Sequence, residues 1–263
     1  SSDVCSSDLG LMPYESSFIK NMNRRRRMEY DGYKLRHELK FYIGTYVYQV
    51  LRERLQHVLE ADENMTDSEG YLISSIYFDD IYQSAFKDKI NGVPTREKYR
   101  IRLYNRDDSL IRLECKIKFD EYISKQTAVL TRQEYDSLLN GDYDFLLDKP
   151  EQVCRKMYSL HKTRLMNPVT VVEYLREAYV HPNGNVRITF DKNISASIGE
   201  LDVFNIDYET IQVPLDGMMV MEVKYDDYIP DYIRKIIQTD HMAKCAISKY
   251  VLCRDYNRKV RKV

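Results

Sequence analysis

Charged and apolar residues alternate strictly along two neighbouring segments, Arg96–Tyr104 and Leu110–Phe119, and this pattern constrains the fold more than any other feature. Because successive side chains of a β-strand point to opposite faces, the alternation predicts two strands with one charged and one apolar face each. Residues 105–108 between them are typical of a hairpin loop. One face of the predicted hairpin collects cations, which are Arg96, Lys98, Arg100 and Arg102 on the first strand and Arg112, Lys116 and Lys118 on the second.

The rest of the chain favours further strands joined by hairpins and short helices. Thr131 and Glu134 form a capping-box signature, which predicts a helix directly after it. Asn183–Gly184 is a second hairpin signal. The other predicted helices are Thr45–Leu59, Tyr82–Ile90, Val153–His161, Pro230–Ile237 and Ala243–Cys253. The other predicted strands are Leu35–Ile43, Tyr71–Asp79, Tyr122–Leu130, Val169–Val180, Val186–Asp191 and Met218–Tyr225. This order predicts an antiparallel α+β protein with a large sheet that is strongly curved or closed.

We expect one domain over residues 31–263, because no linker rich in Pro, Gly or Ser interrupts the patterning after Tyr33. Residues 1–30 are expected to be a disordered or non-native tail. The run Arg24–Arg27 within this tail is either a solvated basic stretch or an arm that seeks anions.

Charge and cysteine content limit the classes of function. The chain carries 40 Lys and Arg against 41 Asp and Glu, and this net charge of −1 argues against a nucleic-acid or membrane binder that relies on overall positive charge. The sequence contains no apolar run long enough for a membrane-spanning helix. The five cysteines are scattered and odd in number, which favours a reducing compartment, and we expect the protein in the cytoplasm.

Like charges at neighbouring strand positions repel each other, so the cationic face of the hairpin needs an explanation. One explanation is an ordinary sheet whose charged face lies in water. The other is a closed sheet whose charged face lines a wet, basic channel that suits a polyanion and a metal ion. Glu38 and Lys40 share one face of the first predicted strand, and Glu222 and Lys224 share one face of the last.

Eight short segments between about residues 34 and 252 carry a resemblance to a known family. They are Arg36–Phe41, Ser75–Asp79, Glu97–Tyr104, Leu113–Lys116, Tyr174–Ala178, Val186–Asp191, Met221–Tyr225 and Ser248–Tyr250. In this order they resemble the triphosphate tunnel metalloenzymes of the CYTH-like superfamily, and within it the VTC domain, which is a polyphosphate polymerase domain. Each segment alone is weak evidence for this family, whereas the ordered set of segments is specific to it.

The resemblance implies an eight-stranded antiparallel β tunnel with flanking helices, whose lumen binds phosphate chains together with a divalent cation, Mn²⁺ or Mg²⁺. It implies a polymerase that transfers the γ-phosphate of ATP to a growing inorganic polyphosphate chain and releases ADP. The residues implied in catalysis are Lys40, Arg100, Arg102, Lys116, Arg187 and Glu222. The residues implied in substrate binding are Lys98, Lys118, Arg176, Lys224 and Lys249. The implied metal ligand is Glu222, with Glu38 and Glu114 as helpers.

Two departures from the wider superfamily refine this expectation. Hydrolytic members carry the pattern Glu-x-Glu-x-Lys, whereas this chain has Arg36 at the first position, before Glu38 and Lys40. The missing carboxylate favours the polymerase branch over simple triphosphate hydrolysis. Vacuolar members also carry a phosphate-sensing domain and membrane helices, for which this sequence has no room, so we expect a free-standing bacterial form.

Other functions stay open from the sequence alone. They are a tripolyphosphatase or nucleoside triphosphatase with the same tunnel, and a polyphosphate-binding module without turnover. Nucleic-acid binding is disfavoured because no known motif accompanies the basic face. A membrane-protein partner and the oligomeric state are left open. The histidines lack metal-like spacing and are expected to be structural or at the surface; they are His37, His57, His161, His181 and His241.

Overall fold

The fold is known from a computed structural model, which describes residues 29–30, 33–65, 68–120, 122–239 and 242–260. The predicted tail, including the basic run Arg24–Arg27, lies outside these residues except for Glu29 and Tyr30, which form a short strand. Among the helices in the described ranges, none combines the length and the apolar composition needed to cross a lipid bilayer.

Antiparallel strands dominate the described part of the chain. The first two form a separate ribbon, and the other eleven belong to one sheet. In chain order the strands are β1 (Glu29–Tyr30), β2 (Tyr33–Lys34), β3 (Arg36–Gly44), β4 (Glu60–Ala61), β5 (Tyr71–Asp79), β6 (Thr95–Tyr104), β7 (Asp107–Phe119), β8 (Tyr122–Leu130), β9 (Asn167–His181), β10 (Val186–Ser197), β11 (Thr210–Gln212), β12 (Met218–Tyr225) and β13 (Ala243–Lys244).

Eight of these strands close into a ring. Their order around the ring is β10, β12, β3, β8, β7, β6, β5 and β9, and β9 pairs back to β10. All neighbours in the ring pair antiparallel. The structure therefore confirms the expected α+β fold with an eight-stranded antiparallel tunnel. The eight predicted strands are the eight strands of the ring. Seven of them differ from the prediction by at most three residues at either end, whereas β10 continues from the predicted end at Asp191 to Ser197.

Helices surround and fill this ring. In the described residues the α-helices are α1 (Thr45–Gln56), α2 (Ser84–Ile90), α3 (Arg132–Leu139), α4 (Gln152–Arg164), α5 (Asp231–Ile237) and α6 (Lys249–Val260). Two short 3₁₀ helices occur at Asp144–Leu147 and Asn183–Asn185. The predicted capping box is confirmed at α3, where the Thr131 hydroxyl accepts from the Glu134 amide and the Glu134 carboxylate accepts from the Thr131 amide.

The alternation of side chains places a different layer on each face of the ring. The outer faces of β6 and β7 pack against α3 and α4 in one hydrophobic cluster. The outer faces of β10 and β12 pack against α1 and α5 in a second cluster. The third cluster lies inside the ring, where Tyr250 and Cys253 of α6 pack against Tyr77 of β5 and Tyr174 of β9. The helix α6 therefore fills part of the lumen, and the charged residues occupy the rest.

The ring has one short seam, which explains an error in the sequence prediction. The strands β3 and β8 pair only at their first residues, Arg36 with Ile123 and His37 with Tyr122. Farther along β3, the short strand β13 supplies the missing partner, and the Cys245 amide donates to the Lys40 carbonyl at 2.9 Å. The predicted helix over Ala243–Cys253 is therefore wrong at its start, because open main-chain groups of β3 bind this segment. The helix begins only at Lys249.

The turn between β9 and β10 packs tightly against the segment that follows β12. Gly184 has φ +72°, and a Cβ atom there would lie 2.2 Å from the Tyr228 carbonyl oxygen. Gly141 has φ +84° but meets no atom within 4 Å, so it serves as a matched control. Both Gly→Ala changes carry the left-handed backbone cost of about 1–2 kcal/mol. We expect Gly184→Ala to cost at least about 1 kcal/mol more, or about 2–4 °C of Tm in thermal unfolding. An equal loss in both variants would contradict the close packing of this turn.

Candidate functional site

The ring encloses a cavity of about 590 Å³ whose wall is strongly basic. Among the described residues, twelve Lys and Arg side chains line this cavity against two carboxylates. The cations are Lys40, Lys89, Arg96, Lys98, Arg100, Arg102, Lys116, Lys118, Arg176, Lys224, Lys244 and Lys249, and the carboxylates are Glu38 and Glu222. The net charge of −1 for the whole chain thus hides a local concentration of positive charge.

The hairpin β6–β7 supplies one side of this wall. In its register Lys98 lies directly opposite Lys116, and Arg100 lies opposite Glu114. Two ammonium groups at opposed positions repel each other, which destabilises the strand pair unless an anion or water lies between them. The cationic face predicted from alternation points into the ring. The structure therefore supports a closed sheet that surrounds a basic channel over an open sheet whose charged face lies in water.

Two glutamates and two lysines form a diagonal charge array on β3 and β12. The register pairs Glu38 with Lys224 and Lys40 with Glu222. The Lys40 ammonium donates to Glu222 at 2.8 Å and lies 3.2 Å from Glu38. On the opposite wall Lys116 donates to both oxygens of Glu38 at 2.7 Å. Burial raises the pKa of both glutamates, but the surrounding cations outweigh it, so that both pKa values lie well below their usual range and both groups are ionised.

A second group of charges joins β9, β10 and α6. Arg176 donates to both oxygens of Asp191, at 2.7 and 2.8 Å. The Lys249 ammonium, at the first residue of α6, lies 2.5 Å from Asp191 and 2.6 Å from Glu222. Lys249 thus bridges two buried carboxylates that stand on different strands. The prediction missed Asp191, although its alternate position on β10 places it on the lumen face.

Arg100 and Arg102 form a third group with the aromatic hydroxyls of β5 and β9. Arg100 donates to Glu114 at 2.8 Å and to the Tyr77 hydroxyl at 3.0 Å. Arg102 donates to the Tyr174 hydroxyl at 3.3 Å and is 8% exposed. The Nε atom of Arg102 is buried and lies 3.9 Å from a Glu114 carboxylate oxygen, too far for a hydrogen bond, and it has no hydrogen-bond partner among the described residues. A buried guanidinium donor without a partner is costly, so this position favours an anionic ligand.

Lys98 has no carboxylate partner among the described residues. Its ammonium donates to the Ser248 hydroxyl at 2.7 Å and lies 5.5 Å from the centre of the Tyr250 ring. Burial, together with repulsion from Lys116 and Lys40, holds the pKa of Lys98 well below its usual range. A bound phosphate would relieve this repulsion, so Lys98 is well placed to contact one.

Most of the predicted site residues come together in the cavity. Eleven line it, namely Glu38, Lys40, Lys98, Arg100, Arg102, Lys116, Lys118, Arg176, Glu222, Lys224 and Lys249. Glu114 is on the same face of the sheet as Arg100, but it is buried beneath Arg100 and Lys125, from which it accepts hydrogen bonds, and it is not part of the cavity lining. Arg187 faces the same side of the sheet as Lys224, but it binds Asp62 at 2.6 Å and the Tyr71 hydroxyl at 2.9 Å, outside the cavity lining.

The carboxylates limit how a divalent cation could bind. No group of three His, Cys, Asp or Glu side chains placed to hold a metal occurs within the described ranges. Glu38 and Glu222 share the neighbours Lys40 and Lys224, and both are ionised. Two carboxylates fit a hard cation whose other ligands are phosphate oxygens and water. Glu114 has no cationic partner in common with Glu38 or Glu222. Its oxygens bind Arg100 on β6 and Lys125 on β8 instead.

The buried lysines predict how anion binding depends on pH. Burial lowers the pKa of Lys116 to about 7 and that of Lys224 to about 8, although Glu38 and Glu222 respectively oppose this shift. A bound triphosphate favours the ammonium form and raises both values. We therefore expect full affinity for tripolyphosphate below about pH 7 and a loss above it, of up to about tenfold per pH unit for each lysine.

The measurement for this prediction is the dissociation constant of tripolyphosphate between about pH 6.5 and pH 9, where terminal phosphates are largely ionised. Lys116→Arg is the matched variant, because a guanidinium keeps its proton throughout this range. A shallower pH dependence for Lys116→Arg is expected. An affinity that stays constant or increases with pH in the wild-type protein would contradict the prediction.

Two solved structures superpose on this chain at low sequence identity. A protein from Hippeastrum with a dominant triphosphatase activity, described as an adenylyl cyclase, superposes with a TM-score of 0.49 at 12% identity, over 84% of this chain and 95% of that one. A protein from Bacillus halodurans described as an adenylate cyclase superposes with a TM-score of 0.48 at 12% identity, over 79% and 88% of the two chains. A search among curated proteins finds no match. The family model of the VTC domain matches residues 35–256, which include every strand of the ring and the first two thirds of α6. The chain therefore belongs to the VTC domain family.

Proposed function

We propose that the protein is a polyphosphate polymerase that transfers the γ-phosphate of ATP to the end of an inorganic polyphosphate chain. The observation that carries the proposal is the cavity wall, with twelve cations against two carboxylates inside a closed ring. A polyanion of repeating phosphates matches such a wall better than a compact anion. Membership of the VTC domain family supports a function in polyphosphate or triphosphate chemistry.

The proposed reaction needs positioning and charge neutralisation more than covalent help from the protein. A terminal oxygen of the chain attacks the γ-phosphorus of ATP, the bond to the β,γ-bridging oxygen breaks, and ADP leaves with the electron pair. The chain thereby gains one phosphate and no water is consumed. Arg100 and Arg102 offer planar forks that bind two phosphate oxygens at once. Lys98, Lys116 and Lys40 add point charges from the walls around them.

A divalent cation would supply charge neutralisation across neighbouring phosphate oxygens when bound. Glu38 and Glu222 are the residues that would hold it, because their carboxylates face the lumen and stay ionised. In the absence of a cation, Lys40 and Lys249 compensate the charge of Glu222. These ammonium groups are then available to move onto phosphate oxygens when the carboxylate gains another partner.

The position of Arg36 supports the polymerase over a hydrolase. In the hydrolytic pattern a carboxylate occupies this position on β3, two residues before Glu38. Here Arg36 binds Asp226 at 2.9 Å and donates to the Asn185 carbonyl at 2.7 Å. The chain therefore lacks, at this position, the carboxylate of the hydrolytic pattern.

The test is incubation of the protein with ATP, Mn²⁺ and a short polyphosphate primer, followed by separation of the products by length on a gel. A ladder of longer chains that accumulates with ADP is expected. Orthophosphate without chain growth would indicate a tripolyphosphatase or nucleoside triphosphatase instead. Binding of chains without consumption of ATP would indicate a module without turnover. Replacement of Mn²⁺ by Mg²⁺ in the same assay identifies the preferred cation.

A further inference from the structure

Arg187 lies near the start of β10, on the lumen face of the sheet but outside the cavity lining. Its partner position on β12 is Lys224, which lines the cavity. Opposed side chains of an antiparallel pair have Cβ atoms about 4.5–5.5 Å apart. An extended arginine side chain is longer than this separation, so the guanidinium can reach the cavity beside Lys224 from its place on the strand.

In the structure this guanidinium points away from the cavity and binds a carboxylate of the chain itself. Its Nη1 atom lies 2.6 Å from the Asp62 carboxylate, and its Nη2 atom donates to the Tyr71 hydroxyl at 2.9 Å. A carboxylate and a phosphate offer a guanidinium the same kind of charged oxygen acceptor. Asp62 therefore competes with a phosphate ligand for Arg187.

The carboxylate of this ion pair is fixed, whereas the guanidinium is the more exposed partner. Asp62 is 5% exposed, and its amide donates to the Ala178 carbonyl of β9 at 2.9 Å. Its Oδ1 atom accepts from the side-chain amide of Asn64 at 2.7 Å and from the backbone amide at 3.2 Å. The side chain of Arg187 is 28% exposed. When the pair opens, we therefore expect Arg187 to change its position and Asp62 to stay in place.

We propose that Asp62 is an autoinhibitory counter-ion, which holds Arg187 out of the cavity until a phosphate ligand binds and Arg187 turns towards Lys224 to contact it. Two cations at opposed strand positions repel each other, so this turn is favourable only when an anion lies between them. Because binding must break the Asp62–Arg187 pair, the measured affinity is lower than that of the open form. The inference rests on the proposed function for the identity of the ligand.

The test is the dissociation constant of tripolyphosphate, measured without metal or ATP, for the wild-type protein and for Asp62→Asn. Asparagine has the shape of aspartate and still accepts from Asn64, but it lacks the charge that holds Arg187. We expect this variant to bind tripolyphosphate at least about threefold more tightly, because the open position of Arg187 becomes more populated. Its Tm should equal the wild-type value or lie below it, since one ion pair is lost.

Two comparisons separate the release of Arg187 from a general change in charge. Glu63→Gln removes one negative charge from the exposed neighbour of Asp62 and leaves the Asp62–Arg187 pair in place. Its affinity should stay within about twofold of the wild-type value. Arg187→Gln should bind tripolyphosphate more weakly than the wild-type protein. In that background the further change Asp62→Asn should alter the affinity by no more than about twofold, because the two side chains act as one unit.

Each outcome bears on the proposal. An unchanged or weaker affinity of Asp62→Asn would overturn it, and so would an equal gain in Glu63→Gln or in the Arg187→Gln background, because charge alone would then explain the effect. The synthesis assay separates this inference from the proposed function. A protein with the expected affinities that never extends chains would overturn the polymerase alone. A protein that extends chains, but whose affinity is unchanged in Asp62→Asn, would overturn the autoinhibitory contact alone.

Discussion

Replacement of Arg100 by glutamine is expected to reduce polyphosphate synthesis by at least about a hundredfold, which is the usual effect of removing one preorganised donor from a charged transition state. The guanidinium lies on the cavity wall between Glu114 and the Tyr77 hydroxyl, and its charge is desolvated by burial. Glutamine keeps much of the side-chain volume but has no charge and no bidentate fork. Both turnover and the affinity for tripolyphosphate should therefore fall.

Loss of folding must be separated from loss of chemistry in this variant, because Glu114 is completely buried and would lose one partner. Arg100→Lys keeps the charge and lacks the fork, so it should retain part of the affinity and little of the rate. Arg155→Gln removes an exposed arginine of α4 and should leave synthesis unchanged. Thermal unfolding of all three variants checks the fold. A folded Arg100→Gln protein with wild-type synthesis would exclude Arg100 from the site.

The second large effect is expected for Glu222→Gln, which should separate metal-dependent turnover from phosphate binding. Glutamine has the shape of glutamate and still accepts hydrogen bonds from Lys40 and Lys249, but it is a far poorer ligand for a hard cation. We expect synthesis to fall by at least about a hundredfold. In the absence of metal, the affinity for tripolyphosphate should stay the same or increase, because one negative charge has left the cavity.

Synthesis and metal-free affinity are measured on the same preparation of this variant. Glu209→Gln, a change of an exposed glutamate outside the cavity lining, is the matched control and should behave like the wild-type protein. Full synthesis by Glu222→Gln would contradict the role of this carboxylate in holding a cation. A large loss of metal-free affinity would instead indicate that Glu222 acts mainly by ordering the lysines around it.

The ring strands could be predicted from sequence because their pattern is local. In Arg96–Tyr104 every second residue belongs to one face, so a single segment reveals both its secondary structure and the direction of its cations. The closure of the ring was implied by the family resemblance, since alternation alone also fits an open sheet with a solvated face. The turn at Asn105 and Arg106, both with positive φ, is tighter than the predicted loop, and the strand pairing shifts between Arg102 and Tyr104. The register that opposes Lys98 to Lys116 therefore could not be derived from the loop alone.

The contacts that escaped prediction are those made between segments that are distant in sequence. Asp62 lies in a loop, and nothing local indicates that it binds Arg187 across 125 residues of chain. The segment before α6 has helix-forming residues, but an incomplete strand pair on β3 holds it extended. The local signal in this case was Ser248, a residue type that commonly precedes a helix and whose carbonyl accepts from the Leu252 amide.

The most direct test of the central claim is ³¹P nuclear magnetic resonance of one reaction mixture that contains the protein, ATP and Mn²⁺. The spectrum separates orthophosphate, terminal phosphates and the internal phosphates of a chain. We expect the internal-phosphate signal to grow in step with ADP, while orthophosphate stays near its starting level. Orthophosphate that forms in equal amount to ADP, with no growth of the internal-phosphate signal, would contradict the assignment of the cavity as a polymerase site.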